Sequence, residues 1–422
     1  MRKPTAVIDL DVTQSLTLAA GLDRYVDAAV LCRLRERPLG LVRAPVDGGR
    51  VVLEHAVREL LEKLTRELGV ALAERAIASG RPPCWPDAGV LVRPSPLAVQ
   101  ARPLVTVAIC ASGGQSSLRA CLDSLMALEY RPIDLLVVDY GGSGAATERL
   151  VGEYAGARYV QEPNLGLDQA RRRAILECRG DILAFTDADA EVDRHWISAI
   201  VRTFLADPEV MAVRGLVIPR ELGVDGRRLL EEFIGFAGGF RRRWSRTPID
   251  GTVVGNSSNV AFWRSALESA AGRTSHDGPR RELHTAVYEP SAIVRAPRVR
   301  CRELRPQVAT ARRTPAAARR VDLADLVKPI ADASGHDRLR VMVSWEGAPL
   351  GQVEIEHRGA VVSTAWLTDV IAQELTAPVL DARTGLGEHV LWSTITSTLA
   401  GALLPAIETS RKDRRQHVSE AA

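Results

Sequence analysis

Leu183-Ala-Phe-Thr-Asp-Ala-Asp-Ala-Glu-Val-Asp193 drives an apolar run into two carboxylates one residue apart, with two more close behind. Ile182 to Phe185 reads as a buried strand, because a short continuous apolar run closed by turn formers fits a strand covered on both faces. Asp187 and Asp189 then stand where the strand ends. Two readings fit that position. A strand-end Asp often makes an Asx turn or caps a helix. Paired carboxylates also suit Mg²⁺ or Mn²⁺, hard cations that take oxygen ligands and share the rest of their shell with water and substrate phosphates.

The flanking segments supply a sheet for that strand. Val105 to Ile109 is a β-branched strand, and Leu118 to Leu128 is an amphipathic helix with its leucines on one face. Ile133 to Val138 is a second strand and ends on Asp139. Gly141 to Gly144 is a loop before a helix over 146–154, and Arg158 to Val160 is a short strand. Asp168 to Cys178 is a helix closed by Gly180, and Arg194 to Phe204 is a helix after the carboxylates. This alternation implies an α/β domain with a doubly wound, mostly parallel sheet. Ligands of such sheets bind beyond the carboxyl ends of the strands. Asp139, Asp187 and Asp189 should therefore converge at one edge. Asp139 can accept from a base N–H or a ribose hydroxyl, or cap its own loop. Arg171, one of three arginines in NLGLDQARRRA, fits an anion ligand or a solvated helix face.

Bulk properties narrow the class. A chain of 422 residues holds more than one domain. With 46% apolar and 25% charged residues it is globular rather than disordered. The 55 basic and 52 acidic side chains are too balanced to point to nucleic acid. The six cysteines form no CxxC pair, which argues against a zinc ribbon or a redox motif. Asp9 and Asp11 break the N-terminal apolar run, so it makes a poor signal peptide, and no apolar run of about 18 residues is present. The expected setting is a reduced cytoplasm.

Composition marks the boundaries. A Pro-rich stretch, RPPCWPDAGVLVRPSP, closes an N-terminal zone over 1–100. The α/β domain follows over 103–300, an Ala/Arg segment at 301–322 reads as a solvated linker, and a C-terminal module occupies 323–422. The two outer zones resemble each other: VLCRLRERPLGLVRAPVDGGRVV from Val30 aligns with VMVSWEGAPLGQVEIEHRGAVV from Val341, with one gap. Each copy reads as a β-hairpin leading into an amphipathic helix. We expect two small duplicated α+β modules, packed on the central domain or on each other.

As an ordered set, VTVAICASGGQSSLRACLDSLMALEYRPIDLLVVD, EPNLGLDQARRRAILECRGDILAFTDADAEVDRHWI, GNSSNVAFWRSALE and YEPSAIV resemble the inverting family-two glycosyltransferases of the GT-A fold, over about 104–300. The resemblance implies a nucleoside-diphosphate sugar as donor, a Mg²⁺ or Mn²⁺ cofactor and a hydroxyl acceptor that is a glycan, a lipid-linked molecule or a small molecule. The nucleotide contact of the family falls on Asp139 and the arginine of its ARN-like segment on Arg171. The metal motif falls on Asp187 and Asp189, with Asp189 the direct ligand and Asp187 nearer the ribose. Gly255 and Asn259 match the segment near the donor sugar or acceptor. Trp196 matches a tryptophan expected to pack.

One part of the pattern is absent. The family carries its general base on a Glu-Asp helix after this point. Here only 22 residues separate Leu267 from Pro290, without a Glu-Asp pair. Asp277 and Glu282 are the carboxylates there that could substitute as base, and His276 and His284 stand beside them. General-base catalysis is worth about 10²–10⁴-fold, so its loss would leave a slow enzyme. Arg241-Arg-Arg-Trp244 fits an anion-binding cluster or a solvated face. Leu229 to Phe240 is apolar enough to rest on a membrane surface peripherally or to pack on the core. Two functional readings follow: an active metal-assisted glycosyltransferase, or an impaired relative that binds nucleotide sugars or glycans and serves as an interaction protein. A nucleotidyltransferase ranks last, because the CASGGQSS loop carries no basic residue.

Overall fold

The computed structural model describes residues 4–11, 21–34, 36–52, 57–80, 102–142, 144–222, 240–248, 258–271, 283–297 and 316–401. The chain divides into two compact units. The outer one gathers Met1–Pro96, Glu221–Phe240 and Gln307–Ala422, and the central one comprises Leu97–Arg220 and Arg241–Pro306. Gly255, His276, Asp277, Glu282 and residues 229–239 lie outside the described residues.

The outer unit begins with β1 (Thr5–Asp11), β2 (Asp27–Leu34), β3 (Arg37–Asp47) and β4 (Arg50–Val51), followed by the helix α1 (Val57–Ser79). β1 runs parallel to β2, and β2 forms the expected hairpin with β3. The parallel first strand escaped the sequence reading, because Asp9 and Asp11 interrupt its apolar pattern.

The central unit contains β5 (Val105–Ala111), α2 (Gln115–Met126), β6 (Ile133–Asp139), α3 (Gly144–Gly152), β7 (Ala157–Gln161), α4 (Leu167–Leu176), β8 (Ile182–Asp187), β9 (Glu191–Val192), α5 (Trp196–Ala206) and β10 (Val210–Pro219). The short β11 (Glu221–Leu222) belongs to the outer unit and pairs with β1. After it come β12 (Arg243–Pro248), β13 (Asn259–Trp263), α6 (Arg264–Ala271) and β14 (Leu283–Ala296). The sheet order is β12-β14-β10-β13-β8-β5-β6-β7, with β9 on β14. The pairings leave β5, β6, β7, β8, β10 and β14 pointing one way and β9, β12 and β13 the other. This is the doubly wound, mostly parallel α/β sheet that the alternation implied.

Both faces of the sheet are covered. Val105, Val107 and Ile109 pack with Leu118 and Leu122 of α2, Leu150 of α3 and Trp196, Ile200 and Phe204 of α5. Ala108, Leu136, Val138, Leu183 and Phe185 pack with Ala170 and Ala174 of α4 and Leu267 of α6. Burial on two faces explains why the central strands read as unbroken apolar runs.

The amino ends of these strands are tied by a polar network. Arg158 Nε and Nη2 donate to the two Asp134 oxygens at 2.8 and 2.7 Å, and Thr106 Oγ1 donates at 2.9 Å. Burial pushes the Asp134 carboxyl up, but the Arg158 and Thr106 hydrogen bonds outweigh it and hold the group below its ordinary range. A carboxylate depressed in the folded state contributes stability above its unfolded pKa, about 3.9, and that contribution is lost as pH falls through the folded value. Asp134→Asn should therefore lower stability by about 2 kcal/mol at pH 7 and by less at about pH 3, below the unfolded pKa. Urea denaturation at the two pH values checks this.

The outer unit resumes with β15 (Ala316–Asp322), β16 (Arg338–Trp345), β17 (Ala348–Glu356), α7 (Thr364–Glu374), α8 (Thr376–Thr384) and a further helical run at 388–401. β15 occupies part of the segment whose Ala/Arg composition read as linker. It is parallel to β16, which buries Leu339, Val341 and Val343, so neighbouring apolar residues hold a strand that lacks a strong pattern of its own. The three strands repeat the arrangement of β1 to β3, each starting 311 residues after its counterpart: 5 to 316, 27 to 338 and 37 to 348. The bulge between Cys32 and Arg33 recurs between Val343 and Ser344. α1 packs on α7 and α8. Thr65 Oγ1 meets Thr396 Oγ1 at 3.1 Å, and Arg383 Nη2 donates to the Gly80 carbonyl at 2.6 Å. The two modules thus meet through their helices. Among the described residues no helix is long and apolar enough to cross a membrane.

Candidate functional site

The carboxyl ends of β5, β6 and β8 lie side by side. In register, Ala111 pairs with Asp139 and Cys110 with Asp187, so the two aspartates flank the end of β5. Two strand spacings put their Cα atoms about 10 Å apart. The loop after β6 is drawn close to that end: a side chain at Gly141 would come within 2.3 Å of the Ser112 backbone. Only glycine allows that approach.

Asp139 is the last residue of β6 and only 1% exposed. Its Oδ1 accepts from the Gly141 amide at 3.0 Å and its Oδ2 from the Tyr159 hydroxyl at 3.3 Å. Burial and then the Asp139 charge push the Tyr159 phenol up, which keeps it a donor. A carboxylate has about four acceptor positions, so Asp139 caps its loop and retains capacity for a ligand.

Asp187 and Asp189 behave differently from the aspartates around them. Asp193 accepts from the His195 amide at 2.9 Å and Asp207 from the Glu209 amide at 2.9 Å, which is the Asx-turn arrangement. The turn from Asp187 to Ala190 is closed by main chain alone, Ala190 N to Asp187 O at 3.1 Å. Among the described residues neither Asp187 nor Asp189 has a hydrogen-bonding or ion-pairing partner for its carboxylate. Asp187 is half-buried and Asp189 exposed.

The three arginines of α4 separate by helical position. Arg172 is exposed and Arg173 pairs with Glu177 at 2.8 Å. Arg171 is buried with Ala170 and Ala174, and its Nη1 has no hydrogen-bond partner. Its charge acts on the same group as Asp187. Burial pushes the Cys110 thiol up to about 12, while Arg171 draws it down and Asp187 pushes it further up. Cys110, Arg171 and Asp187 are therefore neighbours. An unpaired buried cation is costly unless a ligand or counter-charge satisfies it, and the Asp187 charge that acts on the same thiol is on a carboxylate bonded to no described residue.

Asn259 begins β13, beside Thr186 of β8. It is fully buried, and its amide is fully engaged. Oδ1 accepts from the Trp196 indole at 2.8 Å, and Nδ2 donates to the Leu216 and Ala292 carbonyls at 3.0 and 2.7 Å. It ties α5, β10 and β14 together behind the edge. Gly215 makes room, since a Cβ there would fall 2.3 Å from the amide nitrogen. Within the basic cluster, Arg242 pairs with the buried Glu289 at 2.7 Å. Sequence reading did not single out Gly215, Tyr159 or Arg220. A glycine inside a strand pattern was the available signal for the first.

A third protein ligand for a metal is not present: among the described residues no group of three His, Cys, Asp or Glu side chains gathers. Two carboxylates on a turn nonetheless fit a Mg²⁺-type ion, which is commonly bound through one or two carboxylates plus substrate phosphates.

Residues 106–269 match the model of glycosyl transferase family 2. The glucosyl-dolichyl phosphate glucuronosyltransferase of Haloferax volcanii is 24% identical over 199 residues, 45% of this chain and 62% of that protein. This chain therefore spans less than two thirds of that relative. A mannosyltransferase from Pyrobaculum calidifontis, solved with GDP-Man and Mn²⁺, is 22% identical with a TM-score of 0.34, over 57% of this chain and 67% of that one. The glucosyl-3-phosphoglycerate synthase of Mycobacterium tuberculosis, solved with Mn²⁺ and UDP-glucose, is 21% identical with a TM-score of 0.28, over 39% and 57%. The match to glycosyl transferase family 2 thus falls largely within the central unit, on the sheet whose strand ends carry Asp139 and Asp187.

Proposed function

We propose that this chain transfers a sugar from a nucleoside-diphosphate sugar to a hydroxyl acceptor, with inversion and with the help of Mg²⁺ or Mn²⁺. One observation carries the reading: a buried Arg171 Nη1 without a hydrogen-bond partner on α4, in a domain whose Asp187 and Asp189 carboxylates bond to no described residue. Such an arrangement suits a ligand that brings both an anion and a cation.

Asp189 and Asp187 would hold the cation, which supplies charge to the diphosphate as its bond to the sugar breaks. Asp139 would accept from the base or ribose. Arg171 would satisfy its free N–H groups on the anionic donor. The acceptor oxygen attacks the anomeric carbon, the electron pair of the breaking C–O bond leaves with the diphosphate, and the acceptor proton passes to a base. Asp277 and Glu282 are the base candidates in the shortened segment.

That shortening also favours a second reading, an impaired relative that binds the donor without turnover. Calorimetry with UDP, GDP and dTDP, with and without Mn²⁺, tests both. We expect at least one to bind about tenfold more tightly or better with the metal. No metal-dependent binding of any of them sinks both readings. Donor hydrolysis and transfer assays then separate enzyme from binder. We further read the outer modules as two copies of one unit, supported by the constant 311-residue spacing of their strands and the shared bulge.

A further inference from the structure

Arg220 follows β10 directly, and β10 runs in the same sense as β5, β6 and β8. The sheet therefore delivers Arg220 to the edge that carries Asp187 and Asp189. Its amide donates to the Ala296 carbonyl at 3.0 Å, which fixes its backbone against β14. Its Nη2 donates to the Asp189 carbonyl at 3.0 Å and pairs with Glu191 at 2.9 Å. Glu191 is itself held in β9, opposite Arg295 of β14. The Arg220 Nε is buried without a hydrogen-bond partner.

These contacts bear on a part of the edge with little other support among the described residues. Between Asp187 and Ala190 the turn has one main-chain hydrogen bond, and the Cys121 thiol donates to the Asp187 carbonyl at 3.5 Å. Neither reaches Asp189. Arg220 supplies the missing restraint, by gripping the main chain of Asp189 and the side chain two residues on. Its charge also offsets three carboxylates crowded within five residues, which would otherwise repel one another.

We propose that Arg220 is a positioning residue: it holds the Asp189 main chain so that the Asp187 and Asp189 carboxylates stay in ligating geometry for a divalent cation. It touches neither substrate nor cation in this role. The inference rests on the metal-assisted reading given above. Arginine suits the task because its planar guanidinium is pre-organised, whereas lysine offers a mobile point charge.

The test uses the full chain and calorimetry. Mn²⁺ is titrated at saturating nucleotide, and each of UDP, GDP and dTDP is titrated without metal. Arg220→Met should weaken Mn²⁺ binding by about tenfold or more, as loss of a supporting partner commonly does, and leave metal-free nucleotide binding within about twofold. Arg220→Lys keeps the charge and guards against a methionine variant that fails to fold. It should weaken Mn²⁺ in the same direction. Wild-type Mn²⁺ affinity in either folded variant overturns the proposal, as does an equal loss with and without metal. If the unmodified chain shows no Mn²⁺-dependent binding, the metal-assisted reading itself fails and this inference with it. If it does and the variants match it, only the role of Arg220 falls.

Discussion

Asp189→Ala is expected to abolish Mn²⁺-dependent nucleotide binding, with a loss of about 100-fold or more in affinity. A Mg²⁺-type site with one or two protein carboxylates has no ligand to spare. The turn itself should survive, because its closing hydrogen bond is main chain and the Asp189 carboxylate bonds to no described residue. Asp193→Ala is the matched control. That side chain accepts from the His195 amide just before α5, so its loss should cost about 1 kcal/mol of stability. Mn²⁺-dependent binding should persist. Calorimetry with and without metal, alongside urea denaturation, reads both. If Asp189→Ala binds the nucleotide with the wild-type metal dependence, the two carboxylates do no more than decorate a turn.

The second large effect is on stability. Trp196 is fully buried against the sheet and donates its indole N–H to Asn259. Truncating a buried aromatic side chain to alanine costs about 3–5 kcal/mol. Trp196→Ala also removes a donor to the Oδ1 of Asn259, the residue whose Nδ2 anchors β10 and β14. A loss of about 5 kcal/mol is expected, followed by far-UV circular dichroism in urea. Trp196→Phe keeps most of the packing and removes only the donor, so it should lose about 1–3 kcal/mol. Equal losses in the two variants would show that the ring alone matters and that the clamp contributes nothing.

Much of the central domain was legible in one dimension. Strands buried on both faces must be continuously apolar, so Val105 to Ile109, Ile133 to Val138 and Ile182 to Phe185 announce themselves. The observed starts coincide and the carboxyl ends run one or two residues further, since strand ends depend on neighbours rather than on the strand's own residues. The likeness of strand arrangement between the outer modules was partly visible around Pro38-Leu39-Gly40 and Pro349-Leu350-Gly351. The modules' first strands were not: β1 carries aspartates and β15 is Ala/Arg-rich, and both are strands because a parallel neighbour completes them.

For the site, residue order alone placed Asp139, Asp187 and Asp189 at strand ends, because a parallel α/β alternation leaves no other place for them. It could not tell an Asx turn from a free carboxylate. Asp187, Asp189, Asp193 and Asp207 are the same residue type in similar local contexts, yet Asp193 and Asp207 accept from amides two residues on while Asp187 and Asp189 bond to no described residue. Without the family resemblance, which picked Arg171, residue order could not choose among Arg171, Arg172 and Arg173, which the helical turn sends to burial, solvent and an ion pair. The Trp196–Asn259 clamp and the grip of Arg220 on Asp189 join residues 63 and 31 positions apart. The sequence by itself therefore determined the class of fold and which end of the sheet carries the carboxylates. The tertiary structure alone decided which polar groups are already satisfied and which are left open for a ligand, because hydrogen bonding and burial depend on contacts made across the chain.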